Sequence, residues 1–266
     1  MKKVIYFLIA LCLISLSSCL NKDVEPTLEE RNQQILDYIN ANNLTAQRTT
    51  SGVYYVVLSI SGETRVPEVG DQLTLEVEGE TLGGGPTTIE DPIVKLPFGA
   101  NILNKDIEDV LGLFKKGDKV KIFLSSANPV LIYDIEVQDI RSEIEQIGDY
   151  ILAKELTTTQ TQSGLEYVLE QEGDGIEPVP NGSIVVKYTL RDLEGNIIDQ
   201  SSLNGSTFAL STTTLITGFY ESVLLMNVGG KGKFIMPSSI AYGTTGNQSV
   251  LPYTPLEFEI ELVSVN

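Results

Sequence analysis

The chain has no histidine and no tryptophan, and only two cysteines among its 266 residues. Without histidine, Ser-His and Cys-His nucleophile pairs cannot be built. One cysteine, Cys12, lies inside an N-terminal apolar run that reads as a removable signal, so the mature chain keeps Cys19 alone. A single thiol with no imidazole offers neither an intramolecular disulfide nor a zinc site. No metal and no cofactor are expected. Basic residues are also scarce, 18 against 36 acidic ones, for a net charge of −18. Such a chain repels nucleic acid and anionic lipid. Its partners are expected to be proteins, and electrostatics alone cannot hold it on a membrane.

What is present begins with the N-terminus. Lys2 and Lys3 precede an apolar run from Val4 to Leu16 broken by Ser15. The run is shorter than the roughly 20 residues a spanning helix needs, but it fits the core of a signal peptide. It ends in Leu16-Ser17-Ser18-Cys19, which resembles the bacterial lipobox. That resemblance implies a signal peptide over 1–18, cleavage before Cys19 and acylation of Cys19. It also implies a membrane anchor through the lipidated Cys19. Several acyl chains on one residue anchor stably where a single chain is marginal. Leu20 is not a retention aspartate, so a bacterial cell envelope location is expected, at the outer membrane on its periplasmic face or the cell surface. Residues 19–27 read as a short acidic tether.

An internal repeat sets the domain count. Asp37-Tyr38-Ile39, Leu44-Thr45 and Ser51-Gly52 recur 112 residues later as Asp149-Tyr150-Ile151, Leu156-Thr157 and Ser163-Gly164. Ile122 to Ser126 pairs with Ile235 to Ser239, and Tyr133 pairs with Phe258, 125 residues on. The second copy therefore carries twelve extra residues after Ser239. Two copies are too few for a solenoid, so two tandem domains are expected, over 28–140 and 163–266, joined by a helical linker at 141–162.

Each copy opens with a helical pattern. Leu28, Ile35, Leu36 and Ile39 recur near a 3.6 period, and Thr27 with Glu30 forms a capping-box signature. Ile144, Ile147, Ile151 and Leu152 repeat the pattern from about Ser142. Strand patterns follow. Ile184, Val186, Tyr188 and Leu190 alternate with Val185, Lys187 and Thr189, and Leu256, Phe258, Ile260 and Leu262 alternate with glutamates. This predicts sheets packed on one face and wet on the other. Gly218 to Leu225 has helical spacing, with Phe219, Val223 and Leu224 toward the sheet. The fold class is α+β, an antiparallel sheet with one short helix per copy.

Val186-Lys187-Tyr188-Thr189, Asp199, Leu215 to Phe219, Ala241-Tyr242-Gly243, Leu251-Pro252 and Leu256 to Leu262 stand in the order found in FKBP-type peptidyl-prolyl isomerases. The second copy resembles that family. The resemblance implies an antiparallel sheet curled around a short helix, with an apolar bowl that takes proline-containing polypeptides. It implies Tyr188, Asp199 and Tyr242 as the catalytic groups. It also implies Ile198, Phe208, Leu215, Ile216, Phe219, Val250, Leu251 and Phe258 as the substrate-binding wall. Several positions depart from the family. Phe219 stands for a tryptophan, Ile198 for a phenylalanine, Ser206 for a further aromatic and Asn247 for a loop histidine. Those losses keep a second reading open, a non-catalytic FKBP-like binding or chaperone lipoprotein, beside that of an isomerase assisting folding outside the cytoplasm.

The first copy is expected to keep the fold, with its short helix around Lys105 to Gly112, but not the pocket. Alternation places Val77, or Glu76 if the register slips by one, where Tyr188 sits, and a spacing of 113 places Asp106 where Phe219 sits, a charge on the pocket floor. The loop bearing Tyr242 and Leu251 is missing. Gly83-Gly84-Gly85-Pro86 interrupts the region where Asp199 would belong.

Overall fold

The structure, a computed structural model, describes residues 25–266 apart from 88 and 90. The signal over 1–18 and Cys19 lie outside the described residues, as does the tether up to residue 24. The chain divides into two compact units, the first ending at Ile140 and the second beginning at Arg141. No helix among the described residues is long and apolar enough to cross a membrane.

In the first unit, helix α1 (Leu28–Ala41) starts at Thr27. The Glu30 N–H donates to the Thr27 hydroxyl, and the Thr27 N–H donates to the Glu30 carboxylate at 2.7 Å. Two donors that a helix start would leave open are thereby satisfied. The elements that follow are β1 (Ala46–Arg48), β2 (Tyr54–Ser59), β3 (Gln72–Thr81), β4 (Gly85–Pro86), β5 (Ile93–Pro97), α2 (Lys105–Leu111), β6 (Lys119–Leu124) and β7 (Leu131–Arg141). The strands form one sheet in the order β1-β2-β6-β7-β3-β4, with β5 also on β3.

The second unit repeats the plan. It comprises α3 (Glu143–Ala153), β8 (Thr159–Gln160), β9 (Glu166–Gln171), β10 (Ser183–Asp192), β11 (Ile197–Gln200), β12 (Ser206–Ala209), α4 (Thr217–Leu224), β13 (Lys231–Met236) and β14 (Leu256–Val265). Its sheet order is β11-β10-β14-β13-β9-β8, with β12 also on β10. Read from the other edge, this is the strand order of the first unit. Pairings with a defined register, such as Phe234 with Phe258 and Ile122 with Tyr133, are antiparallel. The result is an α+β fold, as the alternating strands and short apolar helices predict.

Each sheet has its main core on the face that holds the short helix. In the second unit Phe219 and Val223 of α4 join Ile184, Val186, Leu190, Phe234, Met236, Phe258 and Ile260. In the first, Ile107, Val110 and Leu111 of α2 join Leu73, Leu75, Val120, Ile122, Tyr133 and Ile135. Gly218 lets α4 approach closely, since a Cβ there would stand 2.5 Å from the Met236 sulfur. Leu224, expected toward the sheet, is instead partly exposed, because it lies off the stripe that Phe219 and Val223 bury.

The opposite faces are drier than the alternation predicts. Helix α1 buries Ile35 and Ile39 against Val56, Phe123, Val130 and Ile132. Helix α3 buries Ile147 and Tyr150 against Ile235. Ile144 and Leu152, assigned by period to the packed side of α3, are exposed, at 83% and 77%. The buried stripe runs through Tyr150 instead. The helix expected to serve as a linker packs within the second unit.

Tyr150 also carries a polar contact. Its hydroxyl donates to the carboxylate of Glu257, a glutamate only 5% exposed, and Arg191 Nη1 lies 3.6 Å from the same carboxylate. Burial first, and the Glu257 carboxylate second, hold the Tyr150 hydroxyl well above its ordinary pKa. Tyr150→Phe leaves Glu257 with Arg191 alone. It is expected to destabilise the second unit by about 1–3 kcal/mol in urea unfolding, the cost of stranding a buried polar group. A loss under about 0.5 kcal/mol, the size of an ordinary surface change, would show that the hydroxyl contributes nothing there.

Candidate active site

The candidate site lies on the core face of the second sheet. Strand β10 alternates, so Ile184, Val186 and Leu190 are buried in the core and Tyr188 packs against it. Strand β11 runs back antiparallel, pairing Leu190 with Asp199. The turn between them is set by Asp192, whose carboxylate accepts from the Glu194 and Asn196 N–H groups at 3.0 and 2.9 Å. Gly195 occupies its left-handed corner at φ +92°, where a side chain would be strained. Past β11, Ser201 clamps the central tyrosine. Its Oγ accepts the Tyr188 N–H at 3.0 Å, and its N–H donates to the Tyr188 carbonyl, also at 3.0 Å.

This hairpin brings Tyr188 and Asp199 together. The Tyr188 hydroxyl donates to Asp199 Oδ2 at 2.6 Å, while Asp199 Oδ1 accepts the Gln200 N–H at 2.9 Å. The Tyr188 ring sits 6.0 Å from Phe208, 6.0 Å from Phe219 and 6.1 Å from Phe258. Phe219 lies 5.8 Å from Phe208 and 5.2 Å from Phe258 in edge-to-face contacts. Such pairs add about 0.5–1.5 kcal/mol beyond simple burial. The four rings come from β10, β12, α4 and β14, so the site exists only when the whole unit is folded.

The remaining wall follows. Ile198, Leu215, Ile216 and Tyr242 pack against the same core, and Val250 is buried within it. Leu251 is half-buried and does not join that cluster. Helix α4 starts at Ile216 with no capping side chain, so its first-turn N–H groups are not taken up by a neighbouring hydroxyl or carboxylate.

The loop that carries Tyr242 and Val250 is pinned at several points. Ser238 gives its N–H and its hydroxyl to the Glu143 carboxylate of α3, at 2.7 and 2.5 Å. The Gly243 N–H donates back to the Ser238 carbonyl at 2.8 Å. Asn247 Oδ1 accepts from the Ser249 and Val250 N–H groups at 2.7 and 2.8 Å. Gly246, at φ +62°, passes so close to the Val250 carbonyl that a Cβ would stand 2.3 Å from it. Sequence reasoning missed Glu143, Ser201 and Ser238 as supports. Helix α3 starts at Ser142, whose hydroxyl accepts the Glu145 N–H at 3.3 Å, and that places Glu143 in the first turn. Nothing local in the sequence ties Glu143 to a serine 95 positions away.

Electrostatically the site holds protonated hydroxyls. Burial, then the hydrogen bond to Asp199 and its charge, raise the Tyr188 hydroxyl well above its ordinary pKa. Burial, then the Asp199 charge, raise Tyr242 as well. At neutral pH both are donors. Among the described residues, no group of three or more His, Cys, Asp and Glu side chains is placed to hold a metal ion. The arrangement gathers four aromatic rings and sets hydroxyl donors beside them.

Residues 175–263 match the family model of FKBP-type peptidyl-prolyl cis-trans isomerases. A probable FKBP-type peptidyl-prolyl cis-trans isomerase, FkpA, of Neisseria meningitidis serogroup B is 26% identical over 180 residues, 63% of this chain and 66% of that protein. The FKBP-type 22 kDa peptidyl-prolyl cis-trans isomerase of Escherichia coli is 32% identical over 114 residues, 42% of this chain and 55% of that one. A crystal structure of a peptidyl-prolyl cis-trans isomerase from Pseudomonas syringae pv. tomato matches 47% of this chain and 93% of its own, at 29% identity and a TM-score of 0.41. The chain spans just under two thirds of the Neisseria relative and about half of the E. coli one. The matched residues 175–263 all lie within the second unit.

The raised hydroxyls have a measurable consequence. A tyrosine with a native pKa above its unfolded value of about 10 contributes stability that is fully present below that pH. The contribution is lost as pH rises from there through the native value. Unfolding free energy is therefore expected to fall on the alkaline side of pH 10. In Asp199→Ala, ultraviolet absorbance titration should show two tyrosines, Tyr188 and Tyr242, ionising at lower pH than in the wild type, still above free tyrosine because burial, the larger cause for both, remains. An unchanged titration curve would mean that Asp199 does not act on Tyr188.

Proposed function

We propose that the second unit is a peptidyl-prolyl cis-trans isomerase acting on proline-containing polypeptides, and that the chain assists protein folding outside the cytoplasm. The observation that carries this reading is the ring of Tyr188, Phe208, Phe219 and Phe258 around one Tyr–Asp hydrogen bond. The bond before proline turns slowly because amide resonance sets a barrier of roughly 18–20 kcal/mol. Rotation breaks that resonance and leaves a less polar, twisted amide. A dry aromatic pocket disfavours the planar dipole relative to the twisted form, and placed donors then favour the latter. No nucleophile is required, which suits a chain without histidine.

In this reading Phe219 and Phe258 form the floor and far wall for the proline ring. Phe208, Ile198, Leu215, Val250 and Leu251 enclose its flanks. The Ile216 amide and the Tyr242 hydroxyl meet substrate carbonyls, and Asp199 holds Tyr188 in place beside the twisting bond. The second reading, a binder without useful turnover, is favoured by Ile198 and Ser206, which stand where the family carries aromatic rings. Fewer rings mean less apolar area against the substrate, at about 25 cal/mol per Å².

The anchoring is part of the proposal. Cys19 is the lipidated N-terminus, reached by cleavage after residue 18, and it holds the chain on a bacterial envelope membrane, at the outer membrane. The support is the lipobox-like Leu16-Ser17-Ser18-Cys19 after a short apolar run.

Two experiments test these statements. The full chain should accelerate cis-to-trans conversion in short X–Pro peptides, which otherwise takes tens to hundreds of seconds. An Asp199→Ala, Tyr242→Phe double variant should lose roughly a hundredfold of that acceleration, the scale of a lost placed donor. A folded wild type no faster than the double variant would leave the binder reading standing. Expressed in a bacterium, the wild type should partition into detergent and Cys19→Ser should not. A wild type that stays in the aqueous phase would rule out the anchor.

A further inference from the structure

The first unit also has a cavity. It measures about 560 Å³ and is lined from β3, β5, α2 and β7. That volume lies within the roughly 300–1,000 Å³ typical of ligand sites. The cavity was not expected, because Asp106 was assigned to its floor. The structure corrects that assignment. Helix α2 starts at its cap Asn104 as α4 does at Ile216, so the residue matching Phe219 is Ile107, which is buried. Asp106 is not among the lining residues; its carboxylate accepts the hydroxyl of the rim residue Ser126 at 2.9 Å.

Strand register extends the comparison. Leu73 pairs with Leu96 as Ile184 pairs with Phe208, and Ile122 pairs with Tyr133 as Phe234 pairs with Phe258. Val77 falls, as expected, at the position of Tyr188. The four rings of the second unit thus correspond to Val77, Leu96, Ile107 and Tyr133. Three rings have become shorter aliphatic chains, and the space they leave is the cavity. In a chain of net charge −18, none of the lining side chains is charged. Its exposed rim carries Asn104, Ser126 and Asn128. The twelve-residue loop that contributes Val250 to the core of the second unit is missing beside it.

One wall group has no partner. Tyr133 is 3% exposed, and its hydroxyl is buried without a hydrogen bond. Buried polar groups normally have partners, and this one gains an acceptor only when the wall shifts enough to admit it. Burial raises its pKa to about 12, which keeps it a neutral donor.

We propose that this cavity binds aliphatic side chains of non-native polypeptide segments that contain no proline. The apolar depth takes the side chain, the amide-bearing rim takes the peptide backbone, and Tyr133 donates to a carbonyl that follows the side chain in. A neutral lining excludes anionic ligands such as free fatty acids less by charge than by offering no cation to pair with them. An aliphatic wall lacks the edge-to-face and tilted rings of the other unit, so a proline ring gains no special fit. The choice of a polypeptide as ligand rests on the function proposed for the second unit; the site itself does not.

The test uses the full mature chain carrying Cys19→Ser and a fluorescein-labelled, uncharged peptide of alternating leucine and serine, read by fluorescence anisotropy. Val77→Phe, which fills the depth, and Ala127→Trp, which blocks the rim, should each weaken binding about tenfold or more. Tyr133→Phe should weaken it severalfold. None of the three should alter X–Pro isomerisation. The Asp199→Ala, Tyr242→Phe variant should bind the peptide as the wild type does, so failure of the isomerase reading and failure of this one are separable. Unchanged affinity in both filled variants overturns the proposal. So does binding of a neutral monoglyceride with none of the peptide. Should a filled variant not fold, methyl NMR of the wild type decides. Peptide-induced shifts at Val77, Leu96 and Ile107 support the site, and shifts confined to the second unit overturn it.

Discussion

Both units answer one constraint. A twisted antiparallel sheet with strongly apolar inner positions must be covered, and in each unit a single short helix does most of the covering on that face. A helix of two turns cannot seal such a sheet. What lies beside it is either filled by large side chains or left open. In the second unit Tyr188, Phe208, Phe219 and Phe258 converge there, from four separate elements. In the first unit the same positions hold Val77, Leu96, Ile107 and Tyr133, and a cavity remains. Site and vacancy are two outcomes of the same packing problem.

The outer faces follow the same logic. Alternation alone reads Ile132 and Ile235 as exceptions to a wet face, yet both are buried beneath the lead-in helices. Those helices also reach toward function. Glu143, in the first turn of α3, takes both the N–H and the hydroxyl of Ser238, and Ser238 begins the turn that leads into Ala241-Tyr242-Gly243. A helix that reads as connecting sequence thereby fixes the start of the loop that bears a proposed catalytic hydroxyl.

Much of this was legible from the sequence. The repeat, the strand alternation, the short helix near Phe219 and the Tyr188–Asp199 neighbourhood are local or periodic signals, and the geometry brings those side chains together. What sequence could not give was phase. A spacing of 113, correct for the strand directly after the helix, put Asp106 on the floor of the first unit, while the helix itself follows a spacing of 112 and puts Ile107 there. One residue of slip on a helix turns a side chain by about 100°, enough to exchange a buried isoleucine for a partly exposed aspartate. The exposed Ile144 and Leu152 are the same kind of error, since a 3.6 period fits more than one stripe when Tyr150 is left out of the apolar set.

The position of the hydroxyl separates the chemistry of the two units. In the second it stands on the strand beside the hairpin, so that Asp199 from the neighbouring strand can reach it at 2.6 Å and hold it in one orientation. In the first the only ring of the set is Tyr133, on the last strand, and no carboxylate reaches its hydroxyl. An oriented donor beside a cluster of aromatic rings can favour one geometry of a bond over another, which is what catalysis by differential binding requires. An unoriented donor in an aliphatic hollow can hold a carbonyl but does not select among its rotational states. The divergence of the two copies therefore turns on where a tyrosine sits relative to an aspartate, and the shared sheet tolerates either placement because both positions face the same core.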